Sequence, residues 1–221
     1  MITKKSKPEG WCQFILAMDC ETTGLCFKTP DPTENPITGE KHQAVSWGFI
    51  VADSHTLKPV EELYMEIMWN DDSIRQRIKN KDFGVRAEEI HKLTFDYLED
   101  NGIEEQTAVI RILKLIRKYW GTDSSIRCLG HNVATFDLFF LKSLLRRFDL
   151  TDENVKFSNR QIDTSSAGFI NFESYTSNQL FKQCKLTERG THNALEDTKM
   201  ALKSAEIMRA IFQLGYAEIN G

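Results

Sequence analysis

The sequence predicts an α/β domain, and three observations carry that expectation. The stretch Phe14–Leu25 opens with the apolar run FILAM, which has the character of a strand buried on both faces. Gln43–Ala52 and Val60–Trp69 read as two further strands joined by the turn Asp53–Pro59, a meander with the first. Beyond them, amphipathic helices alternate with short strand-like runs. A length of 221 residues suits one such domain with a sizeable core. The apolar fraction of 41% and charged fraction of 27% are ordinary for a globular chain.

Residues 1–11 form a polar arm whose charged start, MITKKSKPEG, has no apolar signal-peptide core. In the first strand side chains alternate, so Asp19 and Glu21 share a face with Ile15 and Ala17, while Met18 and Cys20 face the other way. Two carboxylates side by side at a buried strand end repel each other. A proton, a basic side chain in a salt-bridged strand end, or a metal cation would relieve them. Cys26–His42 follows, CFKTPDPTENPITGEKH, a long Pro-rich surface loop. Its place directly after the carboxylate pair fits a lid or specificity element as well as an inert insertion.

Ser73–Lys81 reads as a short charged helix and Ala87–Leu98 as a second, ending near Asn101-Gly102. Ile103–Trp120 is amphipathic, with Val109, Ile112, Leu113 and Ile116 at helical spacing and Gly121 as its stop. Its basic face, Arg111, Lys114, Arg117 and Lys118, suits solvent first and phosphate contact second. Ser125–Gly130 is a short strand, followed by a helix over 136–148. There Asp137 heads an apolar stripe continued by Phe140, Leu141, Leu144, Leu145 and Phe148. An acid on the core-facing side of a first turn interacts favourably with the helix N-terminus, or serves a metal or its water shell.

Val155–Asp163 is strand-like, Asn178–Cys184 a short helix and Leu186–Gly190 a loop. The last helix starts within THNALEDT and runs to about Leu214. Asp197 heads its stripe of Ala201, Ala205, Met208 and Phe212. Asn193 is placed to cap it, with Glu196 at the capping-box position. His192 then sits on the loop above Asp197, an arrangement that suits a general base near a metal.

The net charge of −4 argues against a bulk electrostatic grip on a duplex, but not against capture of a strand end at a cation-filled site. The five cysteines lack C-x-x-C or zinc-type spacing and read as reduced thiols, which places the chain in a reducing, cytoplasmic compartment. No apolar run reaches membrane-spanning length, so no membrane partner is expected. Asp19, Glu21, Asp137 and Asp197 each lie at a strand end or a helix start, and in an open α/β sheet such ends meet at one rim. Four converging carboxylates call for divalent cations, with oxygen donors favouring Mg²⁺ or Mn²⁺. A pair of such ions suits in-line phosphoryl displacement.

DCETTG at Asp19–Gly24, HNVATFD at His131–Asp137 and HNALED at His192–Asp197 resemble the three motifs of the DEDDh (DnaQ-like) 3′→5′ exonucleases, which have a ribonuclease-H-like fold. The resemblance runs from the first strand to the last helix. It implies a mixed five-stranded sheet, strand 2 antiparallel, flanked by helices, in a single exonuclease domain over residues 12–221 that carries the 26–42 loop. It also implies Asp19, Glu21, Asp137 and Asp197 as metal ligands for two Mg²⁺ ions, with Mn²⁺ substituting, and His192 as general base. Thr22, Thr23, Gly24 and Leu25 would meet the terminal sugar. His91 and Phe136 would wedge or stack terminal bases together with Leu25, and His131 and Asn132 would border the groove. The expected activity is release of nucleoside 5′-monophosphates from the 3′ end of single-stranded DNA. The same chemistry on RNA is the first alternative, and a non-catalytic nucleic-acid-binding adaptor the second. A polymerase or other replication or repair protein is a candidate partner. Ser46 departs from the acidic residue often found at its position in the family.

Overall fold

The computed structural model describes residues 12–24, 42–68, 85–122, 124–151, 153–174, 176–186 and 191–220. The polar arm, Leu25, residues 26–41 of the Pro-rich loop, the helix expected over 73–81 and most of the 186–190 loop lie outside them. The strands are β1 (Phe14–Thr22), β2 (Ala44–Asp53), β3 (Pro59–Glu66), β4 (Cys128–Gly130) and β5 (Ile162–Asp163). They form one sheet in the order β3-β2-β1-β4-β5. β1, β2 and β3 pair antiparallel, and β4 and β5 are added parallel. This is the expected mixed five-stranded sheet with an antiparallel second strand.

The helices are α1 (Val85–His91), α2 (Phe95–Asn101), α3 (Glu105–Trp120), α4 (Asp137–Arg146), α5 (Thr164–Phe172), α6 (Ser177–Gln183) and α7 (Ala194–Asn220). The alternation of β1 sorts the core. Leu16, Met18 and Cys20 join Trp47, Phe49 and Val51 of β2 against the apolar faces of α3 and α4. Ile15 and Ala17 join Ile50 and Ala52 against Ala201 and Leu202 of α7. Asp19 and Glu21 therefore lie on the α7 face.

Four expectations are corrected. The helix read as Ala87–Leu98 is two helices: Lys92 takes a left-handed φ of 63° and Thr94 caps α2, its Oγ1 accepting from Tyr97 N. The strand over Val155–Asp163 contracts to β5 and one bridge, Ile126 with Phe157. Residues 164–172, read as part of no element, form α5, capped by the Asp163 side chain. The last helix runs beyond Leu214 to Asn220. Phe212, expected on the buried stripe, is 68% exposed, as is Leu214. Cys12, Cys20, Cys128 and Cys184 are free thiols, as expected. Among the described residues, no helix is long and apolar enough to cross a membrane.

Candidate active site

Two rows of side chains cross the α7 face of the sheet. Asp19 pairs with Gly48 and Gly48 with Tyr64; Glu21 pairs with Ser46 and Ser46 with Glu66. In both rows the middle residue is small, so a trough runs between the carboxylates of β1 and the polar side chains of β3. The start of α7 lies in it. A Cβ on Gly48 would stand 2.3 Å from the Ala194 carbonyl oxygen, and Thr198 Oγ1 donates to Gly48 O at 3.1 Å. The small Ser46 belongs to this trough.

Asn193 caps α7 as expected, its Oδ1 accepting from Leu195 N at 3.1 Å and Glu196 N at 3.2 Å. The cap places His192 outside the helix and Asp197 in the first turn. His192 Nδ1 lies 3.5 Å from Asp197 Oδ2. Ligand atoms of Glu21, His192 and Asp197 all lie within 4.8 Å of one another. Glu21 and Asp197 are buried and His192 is half-buried, so two carboxylates and an imidazole converge at one edge of the trough. Asp19 lies two residues before Glu21 on the same face, half-buried, and is not within that group.

Asp137 reaches β1 from the other side. Leu16 N donates to Arg127 O, so alternate β1 amides, Cys20 among them, point toward β4. The β1–β4 pairing ends before Cys20, and there Asp137 Oδ1 accepts the Cys20 N–H at 2.9 Å. Asp137 is 1% exposed and its Oδ2 has no hydrogen-bond partner among the described residues. Burial pushes its carboxyl up to about 7; the Cys20 contacts oppose this and nearby Asp163 adds to it. Asp163 Oδ1 is itself held by Asn132 N and by the amide and hydroxyl of Ser165. A buried carboxylate oxygen without a partner among the described residues fits a divalent cation.

The turn after β1 is built tightly. A register shift falls between Glu21 and Thr22. Thr22 Oγ1 donates to Gly24 O at 3.2 Å, and Thr23 N donates to Gln43 O. Thr23 Oγ1 contacts His42 Nδ1 at 3.3 Å and accepts from Gln43 N. Gly24 has a φ of 147°, and a Cβ there would stand 2.6 Å from His42 Cε1. The buried His42 ring thus underlies the whole turn, and burial holds its pKa down at about 4. His42 was read only as the end of a loop, since the fold that brings it under Gly24 leaves no local mark.

Of the remaining expected contacts, His91 meets this turn at the Thr22 backbone. His91, 5% exposed, accepts from Leu93 N through Nδ1. Burial lowers its pKa to about 4; the Thr22 backbone opposes this and the nearby His192 adds to it. His131 Nδ1 lies 3.4 Å from Thr164 Oγ1, and Asn132 takes a left-handed φ of 61°. The Phe136 ring packs edge-on against Phe140 at 5.0 Å, which joins it to the core below α4.

No family model and no curated protein matches the sequence. Solved structures do match. The nuclease domain of 3′hExo, a DEDDh family member bound to rAMP, has a TM-score of 0.65 at 13% identity, over 90% of this chain and 93% of that one. A 3′-exonuclease solved for its 3′-end specific recognition of histone mRNA stem-loop gives 0.63 at 15%, over 90% and 83%. The zinc-bound form of the E. coli ExoI–ssDNA complex gives 0.64 at 15%, over 90% of this chain and 41% of that one. The chain therefore has the ribonuclease-H-like α/β fold of DEDDh exonuclease domains.

Proposed function

We propose that this protein is a DEDDh-type 3′→5′ exonuclease that hydrolyses the terminal phosphodiester of single-stranded DNA and releases nucleoside 5′-monophosphates. The observation that supports the reading is the convergence of Glu21, Asp197 and His192 within 4.8 Å at the mouth of a trough, on a fold shared with 3′-exonucleases. Asp19, Glu21, Asp137 and Asp197 would hold two Mg²⁺ ions, with Mn²⁺ able to replace them, because the donors are carboxylate oxygens. Bound there, the cations would supply positive charge to the phosphate oxygens of the scissile bond.

The remaining chemistry belongs to the chain. His192 also has the geometry of a ligand, but hard cations prefer oxygen, which leaves the imidazole as general base. Asp197 at Nδ1 orients the ring, and Nε2 takes a proton from the attacking water. The water oxygen bonds to phosphorus as the bond to the 3′ oxygen of the penultimate nucleotide breaks. The turn Thr22–Gly24 receives the terminal sugar, and the missing Cβ at Gly24 lets the His42 ring pack directly against that turn. His91, His131, Asn132 and Phe136 border the path of the last bases, and Leu25 follows the turn.

RNA is the second reading, favoured by the structural neighbours solved with rAMP and for a histone mRNA stem-loop. A time course on matched 5′-labelled DNA and RNA oligonucleotides tests both. The arms are Mg²⁺, Mn²⁺ and EDTA, with wild type and Asp19→Ala. The expected result is a metal-dependent ladder shortening from the 3′ end, absent in the folded variant, with the DNA-to-RNA rate ratio choosing the substrate. Intact substrate in every lane of folded wild type would contradict the proposal.

A further inference from the structure

The far wall of the trough carries polar groups to which the chemistry above assigns no role. Tyr64 of β3 donates its hydroxyl to Glu66 Oε1 at 2.7 Å. Tyr97 of α2 donates to the other oxygen, Glu66 Oε2, at 2.8 Å. With its proton committed to Glu66, the Tyr64 oxygen is an acceptor, and Asn193 Nδ2 donates to it at 3.2 Å. The amide of Asn193 is thus used at both ends: Oδ1 caps α7 through Leu195 N and Glu196 N, and Nδ2 reaches across to β3. Burial, and then Glu66, push the Tyr64 phenol well above its ordinary pKa, so it stays a neutral donor and acceptor.

We infer that Tyr64, oriented by Glu66, is a positioning residue for His192, acting through the side chain of Asn193. His192 directly precedes Asn193, at the point where the loop enters α7. The cap fixes Asn193 relative to the helix, whose start is tied to β2 through Thr198 and Gly48. The Tyr64 bond adds a tie from the Asn193 side chain itself to β3, and so sets it relative to Asp19 and Glu21 on the opposite wall. The imidazole is thereby set against both its own helix and the carboxylates. A displacement of about 1 Å at a catalytic group is enough to cost rate. The inference rests on the assignment of His192 as general base.

Tyr64→Phe removes the hydroxyl and keeps the ring. Tyr97→Phe is the control, since it removes one bond to Glu66 without touching Asn193. Loss of one such hydrogen bond sets the scale, so kcat of Tyr64→Phe is expected to fall roughly 3- to 10-fold with KM unchanged. Tyr97→Phe should retain wild-type kcat. Asn193→Ser keeps a capping oxygen and loses the Nδ2 group that reaches Tyr64, so adding Tyr64→Phe to it should lower kcat no further. A second readout needs neither substrate nor metal: amide hydrogen exchange at Asn193 and Leu195 should accelerate in Tyr64→Phe and not in Tyr97→Phe. Unchanged exchange in Tyr64→Phe, or equal loss of kcat in both tyrosine variants, would overturn the inference. Failure of the wild type to cleave any oligonucleotide would instead remove the exonuclease reading, while exchange still decides whether Tyr64 holds the loop.

Discussion

At the scale of single residues, the site depends on groups kept in unusual states by burial. His42 is 5% exposed beneath the Thr22–Gly24 turn, and its folded pKa of about 4 lies below the ordinary value near 6.5. Below pH 6.5 the unfolded chain binds a proton that the fold refuses. Stability is therefore lost as pH falls from about 6.5 to about 4, by roughly 3 kcal/mol for a full shift of this size. His91 has the same direction and value. In urea unfolding across this range, His42→Gln should lose less stability on acidification than the wild type, the difference between the two reaching roughly 3 kcal/mol near pH 4; an unchanged slope would contradict a buried neutral His42. Asp137 is the opposite case, a carboxylate that burial inclines to hold its proton near neutrality.

At the scale of elements, the docking of α7 on Gly48 sets the site. The start of α7 carries Asn193, His192 and Asp197, and it lies close to β2 only because position 48 has no side chain. Gly48→Ala should lift that end of the helix. Overpacking of this kind costs about 2 kcal/mol, a fall in Tm of roughly 5 °C, with a larger relative loss of nuclease rate than of stability. Thermal unfolding and initial rates measured on the same preparation check this, and an active Gly48→Ala with wild-type Tm would contradict it. The elements that carry the site were legible because their signals are local. Strand alternation put Asp19 and Glu21 on one face, and helical spacing put Asp137 and Asp197 at the heads of stripes. The roles of Ser46, Tyr64 and Glu66 were not legible, because they depend on the register between strands. The sequence does not state which residue of β3 faces which of β2. Helix α5 was missed because its Gly168, Phe169, Ile170 and Phe172 are weak helix formers and its cap, Asp163, also ends a strand.

At the scale of the whole molecule, the sheet brings together carboxylates from both ends of the chain, and their mutual repulsion is a cost that a cation relieves. Each Mg²⁺ or Mn²⁺ bound at about 100 times its dissociation constant should stabilise the fold by about 2.7 kcal/mol, a rise in Tm of roughly 5–10 °C per ion. Asp197→Asn should lose most of that rise and, in EDTA, melt no lower than the wild type. Thermal shift titrations check both. The central claim is that His192 is the base of a metal-dependent hydrolysis. Single-turnover cleavage of a 5′-labelled single-stranded oligonucleotide by wild type and His192→Gln, with calorimetric titration of Mn²⁺ into each, tests it most directly. The predicted result is a rate lower by roughly 10²- to 10⁴-fold with Mn²⁺ binding retained. An unchanged cleavage rate, or a variant that no longer binds Mn²⁺, would contradict the role assigned to His192.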